Sequence, residues 1–255
     1  MALARADLES LLRTRQLDRT LTTAIPTTDP ADEYAVGPTG IDALDARLGG
    51  GLPRGQLSEI VGPRTSGRMS LLLQLVAAAT GRGELAAVID ALDMLDVPSL
   101  EAAGVVLDRL LWIRGHVVVN PGMCRDLNQR AMEQAIRALS LVLQAGNFGL
   151  VALDAAEAPI DAWRRLPFTT WLRLQRMVEG SQTAAVLVGS TPVARSSAGL
   201  TIKLQAEGWG LGTGAAGVRR TLFDGLTLEG QVIRARARSH EETRARFAVR
   251  GNVHV

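Results

Sequence analysis

The residues with the clearest chemical potential lie in the segment 62–70, which has the sequence GPRTSGRMS. Gly62 and Gly67 are five residues apart, an apolar run precedes them and a longer apolar run follows. This layout is typical of a phosphate-binding loop, in which backbone N–H groups and a helix N-terminus surround an anion. The segment therefore predicts a nucleotide site formed by Gly62, Pro63, Arg64, Thr65, Ser66, Gly67, Arg68, Met69 and Ser70.

Two positions depart from the full motif G-x-x-x-x-G-K-[ST]. Arg68 takes the place of the lysine, so the charge is kept but a wide planar fork replaces a compact ammonium. Met69 takes the place of the hydroxyl residue that holds Mg²⁺, and a thioether is a poor ligand for a hard cation. Ser70 points about 100° further round the predicted helix and does not simply replace that hydroxyl. We therefore expect ATP binding to be weak or absent and Mg²⁺ binding to be doubtful.

Alternating strands and helices are predicted to position this loop. The runs LSEIVG, ELAAVIDAL, RLLWIRG, GLVALD and TAAVLVGS are nearly continuously apolar, and helical patterns such as SLLLQLVAAAT and residues 125–144 separate them. Such an alternation predicts a doubly wound α/β domain, with a mostly parallel sheet covered on both faces. After Leu200, the runs TIKLQ and LTLEGQVIRARAR alternate in polarity and predict antiparallel strands.

The ends of the chain differ from this core in composition. Spaced leucines predict an amphipathic N-terminal helix over residues 1–24, and Pro26 and Pro30 indicate a linker over 25–38. The core is predicted over 39–238 and an arginine-rich tail over 239–255. From Trp209 onward there are eight arginines against four acidic residues, which suits nucleic acid or an acidic partner. Arginine codon bias is an alternative explanation, since only one of the 28 basic residues is lysine.

Composition excludes several classes of protein. The 255 residues are 47% hydrophobic, which excludes a disordered chain, and the single Cys124 cannot form an intramolecular disulfide. The longest uncharged stretch, 138–153, is too short to span a membrane, and the N-terminus lacks the pattern of a signal peptide. His116, His240 and His254 are scattered and predict no metal site. A cytoplasmic protein is expected.

The stretch from Thr39 to about Gln205 resembles the core of the RecA recombinase family. It contains TGIDALDARLGGGLPRGQLSEIVGPRTSGR, AAVIDALDMLDVPSLEAAGV, RLLWIRG and GLVALD in the family's order and spacing, over roughly two thirds of the chain. The block LGGGLPRGQLSEIVGP is the most diagnostic part. The resemblance implies a RecA-like, P-loop NTPase sheet.

The resemblance also implies losses at the catalytic positions. In active recombinases the second strand ends in Asp-Ala-Glu, and the glutamate activates the attacking water; here the run is Asp90, Ala91, Leu92. Leucine cannot act as a general base, so no catalytic residue is expected. Asp93 is adjacent, but on an extended segment it would point to the opposite side.

Four further residues carry family roles by resemblance. Asp96 matches the position beside the adenine base, and Asp154 matches the second carboxylate associated with Mg²⁺. Arg234 and Arg236 fall where recombinase filaments offer two cations to the nucleotide phosphates of a neighbouring subunit.

The connections that carry DNA-binding loops in recombinases are short here. They read AAEAPIDAWRRLPFTT and TPVARSSAG, and their shortness argues against homologous strand exchange. Trp163 with Arg164 and Arg165, together with Arg195, are candidate DNA contacts, because an aromatic ring flanked by arginines can stack on a base and neutralise phosphate. A partly buried tryptophan with solvated arginines is the alternative.

A degenerate RecA-like core of this size resembles the accessory proteins of bacterial mutasomes, the ImuA type. The resemblance implies a non-catalytic or weakly nucleotide-binding protein in the DNA damage (SOS) response and translesion synthesis. Its implied partners are a Y-family polymerase-like protein and an error-prone DNA polymerase, with DNA as a further candidate and no membrane partner. The N-terminal helix and the arginine-rich C-terminus are the candidate contacts for partners and DNA. The N-terminal helix packs either on its own domain or on a partner or a second copy, and self-association is open. A DNA-dependent ATPase and a RecA-like inhibitor of cell division are the alternatives.

Overall fold

A computed structural model describes residues 35–115, 125–194, 199–210, 225–235 and 243–249. The predicted N-terminal helix over 1–24, most of the predicted linker, Arg195 and Arg236 lie outside these residues. Within the described residues, no helix is long and apolar enough to cross a membrane.

Ten strands and six α-helices are found in the described part of the chain. The strands are β1 (Val36–Gly37), β2 (Leu52–Pro53), β3 (Gln56–Val61), β4 (Ala86–Asp90), β5 (Leu110–Arg114), β6 (Leu150–Asp154), β7 (Ala184–Gly189), β8 (Leu200–Gly210), β9 (Gly225–Ala235) and β10 (Thr243–Val249). The helices are α1 (Asp42–Leu48), α2 (Arg68–Gly81), α3 (Val97–Ala102), α4 (Arg125–Ala145), α5 (Ile160–Arg164) and α6 (Phe168–Val178).

Eight of the strands form one sheet in the order β10-β9-β8-β3-β7-β6-β4-β5. The strands from β8 to β5 are parallel, and β8, β9 and β10 pair antiparallel. The predicted fold class is thereby confirmed. Because β3, β4, β6 and β7 are parallel neighbours, their carboxyl ends meet at one edge, where ligands bind in sheets of this kind.

Both faces of the sheet are covered, as the apolar strands require. On one face, Ile60 of β3 packs in a core with α1 and α2, and on the other Leu57 packs with α4 and α6. Strand β6 divides its side chains in the same way, with Ala152 on the first face and Leu153 on the second. The period of two along each strand therefore supplies apolar side chains to both layers.

The sheet continues beyond the predicted core boundary at residue 238. Strand β10 lies in the stretch assigned to an arginine-rich tail, and it pairs with β9 along its whole length. Ala245 and Phe247 are buried in the core, whereas Arg244 and Arg246 point to solvent. The arginines are thus the polar face of an amphipathic strand.

Candidate functional site

The loop 62–67 connects β3 to α2 in the compact form that the sequence predicts. Gly67 precedes the helix with φ +80°, a left-handed conformation that favours glycine. A side chain at Gly62 would place its Cβ 2.5 Å from the Ser66 Oγ and 2.6 Å from the Leu204 carbonyl oxygen, so only glycine fits. The Ser66 N–H donates to the Pro63 carbonyl oxygen at 3.0 Å and closes the turn.

Arg64 of this loop and Arg68 at the start of α2 both contact the carboxylate of Glu157. Arg68 is 3% exposed, its Nη1 donates to the Ala156 carbonyl oxygen at 3.1 Å, and its Nη2 lies 3.4 Å from the Glu157 Oε1. The Arg64 Nε lies 3.3 Å from the other oxygen of Glu157. Burial lowers the pKa of Arg68, and the negative charges of Glu157 and Asp154 oppose that shift. Sequence reasoning missed Glu157; its only signal is its place three residues after a strand that ends in aspartate.

The two positions related to Mg²⁺ by the sequence are a thioether, Met69, and a buried carboxyl group, Asp154. The Met69 side chain is partly buried and packs against the apolar core under α2. Asp154 is buried, and its Oδ1 accepts from the Ala156 N–H at 3.0 Å. Burial raises the pKa of Asp154 to about 7, although the Ala156 N–H and Arg68 act in the opposite direction. The association of Asp154 with Mg²⁺ stays a prediction.

Leu92, which is predicted to replace a catalytic glutamate, belongs to the apolar core. It is 3% exposed and packs in the cluster that α4 covers. Asp93 has φ +57° and forms a two-pronged ion pair with Arg114, at 2.7 Å to Nε and 2.9 Å to Nη2. This pairing lowers the pKa of Asp93 through the hydrogen bond from Arg114. Asp93 is thus held as an ionised ion-pair partner.

Asp90, at the end of β4, organises the turn that follows it. Its Oδ1 accepts from the Met94 N–H at 2.9 Å, and its Oδ2 accepts from the Leu95 N–H at 2.9 Å and from the Trp112 Nε1 at 3.3 Å. The side chain is fully buried, and these donors compensate for its burial.

Asp96 is the N-cap of α3. Its Oδ1 accepts from the Ser99 N–H and its Oδ2 from the Ser99 hydroxyl, both at 2.8 Å. These bonds satisfy an otherwise free helix N–H group. The residue is exposed, and its contact with a base stays a prediction.

Among the candidate DNA contacts, Trp163 is in the core. It is 2% exposed, its Nε1 donates to the Ala155 carbonyl oxygen at 3.3 Å, and its ring centroid lies 5.8 Å from that of Trp171. A ring in this position cannot stack on a base, so the prediction for Trp163 is wrong and the alternative of a buried tryptophan holds. Arg164 and Arg165 are exposed.

Arg234 lies on β9 opposite Thr201 of β8, and its side chain is exposed. The contact of Arg234 and Arg236 with a neighbouring subunit's nucleotide stays a prediction, and Arg236 lies outside the described residues.

Sequence reasoning also missed Glu59, a buried carboxylate in the middle of β3. It accepts hydrogen bonds from the N–H groups of Val193 and Ala194, at 2.7 and 2.8 Å, and from the Thr201 Oγ1 at 3.1 Å. These residues belong to the β7–β8 connection and the start of β8, so Glu59 fixes the connection against the strand that leads into the loop. An acidic residue in an otherwise apolar strand was the available signal.

Comparison with known proteins supports a RecA-like core. Proteins named "Protein RecA" are similar to this chain in Clavibacter michiganensis (39% identity over 131 residues), Salinispora tropica (38% over 130) and Methylococcus capsulatus (39% over 122). The matches cover 51%, 51% and 48% of this chain, and 32%, 33% and 31% of the respective relatives. The chain thus spans about a third of the length of these relatives.

The family described as the RecA N-terminal domain matches residues 25–160, just over half of the chain. This range includes the loop, Leu92 and the carboxyl end of β6. The chain therefore belongs to the RecA N-terminal domain family.

Proposed function

We propose that this protein is a RecA-like accessory factor of the damage-induced (SOS) response and translesion DNA synthesis, which binds nucleotide weakly or not at all and does not hydrolyse it. It acts in the cytoplasm and bridges DNA and polymerase-like partners. The observation that carries the proposal is the packing of Leu92 in the apolar core at the position of the family's catalytic glutamate. A buried hydrocarbon side chain cannot accept a proton from water.

Two features of the loop support weak nucleotide binding. Arg68 is held by Glu157 and the Ala156 carbonyl oxygen, so phosphate must compete with internal partners for its guanidinium. Met69 packs against the apolar core and supplies a thioether where a hydroxyl ligand for Mg²⁺ is expected. A thioether at this position does not fit a hard cation.

DNA contact is proposed for the exposed Arg164 and Arg165 at the end of α5. Their guanidinium groups can neutralise phosphate, and the buried Trp163 leaves them without a stacking partner from that position. Binding of this kind is electrostatic and nonspecific in sequence.

The partners are proposed from the resemblance to the ImuA type. They are a Y-family polymerase-like protein and an error-prone DNA polymerase, with the N-terminal segment 1–24 as the contact for a partner or for self-association. A direct test compares the full chain with a chain that lacks residues 1–24 in pull-down and sedimentation. Loss of association with the polymerase-like protein, or of self-association, is expected on truncation. Unchanged binding in both assays contradicts this part of the proposal.

The DNA contact has its own test by fluorescence anisotropy with labelled single-stranded DNA. The double variant Arg164→Ser/Arg165→Ser should bind more weakly and with a shallower salt dependence. The control variant Arg130→Ser/Arg137→Ser removes the same charge from exposed positions on α4. Equal losses in the two variants contradict a localised contact.

A DNA-dependent ATPase is the second candidate, and the preserved loop geometry favours it. Gly62, Gly67 and the first turn of α2 keep the strand–loop–helix form that phosphate sites require. Turnover that depends on Mg²⁺ and is stimulated by single-stranded DNA would distinguish this candidate from the first.

A further inference from the structure

The carboxylate of Glu157 lies between the two cations of the phosphate loop. One oxygen lies 3.4 Å from the Arg68 Nη2 and the other lies 3.3 Å from the Arg64 Nε. Arg64 lies in the loop and Arg68 is the first residue of α2, whereas Glu157 lies in the connection after β6. One carboxylate thus engages both arginines of the loop.

Carboxylate and phosphate compete for the same donors on arginine. The carboxylate is planar and the phosphate is tetrahedral, but the oxygens of both accept hydrogen bonds from the guanidinium. Both anions are typical partners of buried arginine. The Arg68 side chain is 3% exposed and that of Glu157 is 26% exposed, so the pair is shielded from water mainly on the arginine side. Arg64 is 79% exposed, so the Arg64 end of this cluster is open to solvent and to a competing anion.

The loop is not fully satisfied by its internal partners. The Arg68 Nε and the Ser66 Oγ are buried, and neither has a hydrogen-bond partner among the described residues. Buried polar groups are normally paired, so these two atoms retain hydrogen-bonding capacity for a ligand or for water.

We propose that Glu157 is an intrinsic competitor of polyphosphate, which occupies the anion position of the loop until a triphosphate group displaces it. The proposal rests on the weak nucleotide binding proposed above and names its cause. Because only the fraction of molecules with Glu157 displaced can bind, the apparent dissociation constant is raised by the inverse of that fraction. Glu157 is therefore the residue that weakens the binding of polyphosphate to this loop.

The test measures binding of inorganic tripolyphosphate to the full-length chain by calorimetry without metal. Glu157→Gln removes the competing charge, and it should bind tripolyphosphate at least ten-fold more tightly than the unmodified chain. Glu101→Gln, at an exposed position on α3, makes the same change in net charge and should leave the affinity unchanged. Adding Arg64→Ser to Glu157→Gln should remove most of the gain.

Two results overturn the proposal. One is a folded Glu157→Gln chain that binds tripolyphosphate no more tightly than the unmodified chain, and the other is an equal gain in Glu101→Gln. If Glu157→Gln does not fold in dilute buffer, tripolyphosphate should rescue its folding by engaging both arginines, and a lack of rescue contradicts the proposal.

The tripolyphosphate experiment and the tests of the proposed function can fail separately. It uses neither DNA nor a partner protein and measures no hydrolysis. ATP turnover by the unmodified chain would contradict the accessory role while leaving the tripolyphosphate result to decide the role of Glu157.

Discussion

Leu92→Glu restores the residue type that the family uses to activate water, and we expect it to destabilise the protein without creating an ATPase. Leu92 is 3% exposed in the core cluster beneath α4. Loss of its apolar burial costs about 2 kcal/mol, and burial of a neutral carboxyl group without a partner costs about 1–3 kcal/mol more. The variant should therefore lose about 3–5 kcal/mol even when the new glutamate is protonated.

The loss of unfolding free energy in Leu92→Glu should depend on pH. Burial raises the pKa of a glutamate in the folded state above its value of about 4.3 in the unfolded chain. The loss of stability is then smallest below about pH 4. It grows as pH rises toward the pKa of the glutamate in the folded state, by about 1.4 kcal/mol for each unit by which the two pKa values differ.

Urea unfolding followed by circular dichroism at pH 5 and pH 8 measures both effects, with the unmodified chain at each pH as reference. Leu92→Gln is the matched control, because it has the same shape and polarity without a titrating group, and its deficit should be equal at the two pH values. A Leu92→Glu chain as stable as the original at pH 8, or one that hydrolyses ATP, would refute the assignment of Leu92 to the core.

Three further predictions follow from buried groups. Burial raises the pKa of Asp154 from 3.8 to about 7, so this group should lower the free energy of unfolding by about 4 kcal/mol as pH rises from about 4 to 7. Urea unfolding should therefore show a smaller loss of stability over this range, or a gain, in Asp154→Asn than in the original chain. Trp163→Ala should lose about 3–5 kcal/mol of unfolding free energy, measured by thermal or urea unfolding. Trp163→Phe should stay folded and bind single-stranded DNA with unchanged affinity in the anisotropy assay. Weaker DNA binding by a folded Phe variant would restore the stacking role. Glu59→Met leaves the Val193 and Ala194 amides without their acceptor, so it should lose about 2 kcal/mol and speed hydrogen exchange at these two amides. Unchanged exchange there would show that Glu59 does not hold the connection.

The sheet could be predicted from the sequence because its signal is local. Runs such as GLVALD are apolar up to the final aspartate, and a strand covered on both faces requires this. Strand β10 was missed because its arginines alternate with alanine and phenylalanine, and a high arginine content resembles a solvated tail. Only the pairing with β9 shows that Ala245 and Phe247 face the core.

The candidate site was predictable only in part, because its decisive contacts join distant residues. Arg68 and Glu157 are 89 residues apart in sequence, and nothing local to either residue indicates that they pair. Trp163 has arginine neighbours that suit a DNA contact, but its burial depends on the packing of α5 against α6 and on Trp171. The glycine spacing of the loop, in contrast, is a local requirement and matches the structure at Gly62 and Gly67.

The central claim is that the RecA-like core has lost nucleotide turnover. Its most direct test is one titration series in which the purified full-length chain is assayed for ATP binding and hydrolysis, with and without Mg²⁺ and single-stranded DNA. Weak or absent binding and no turnover above a protein-free blank are predicted under all four conditions. Mg²⁺-dependent turnover stimulated by single-stranded DNA would contradict the account and would direct the search for a base to Asp90 and Asp93.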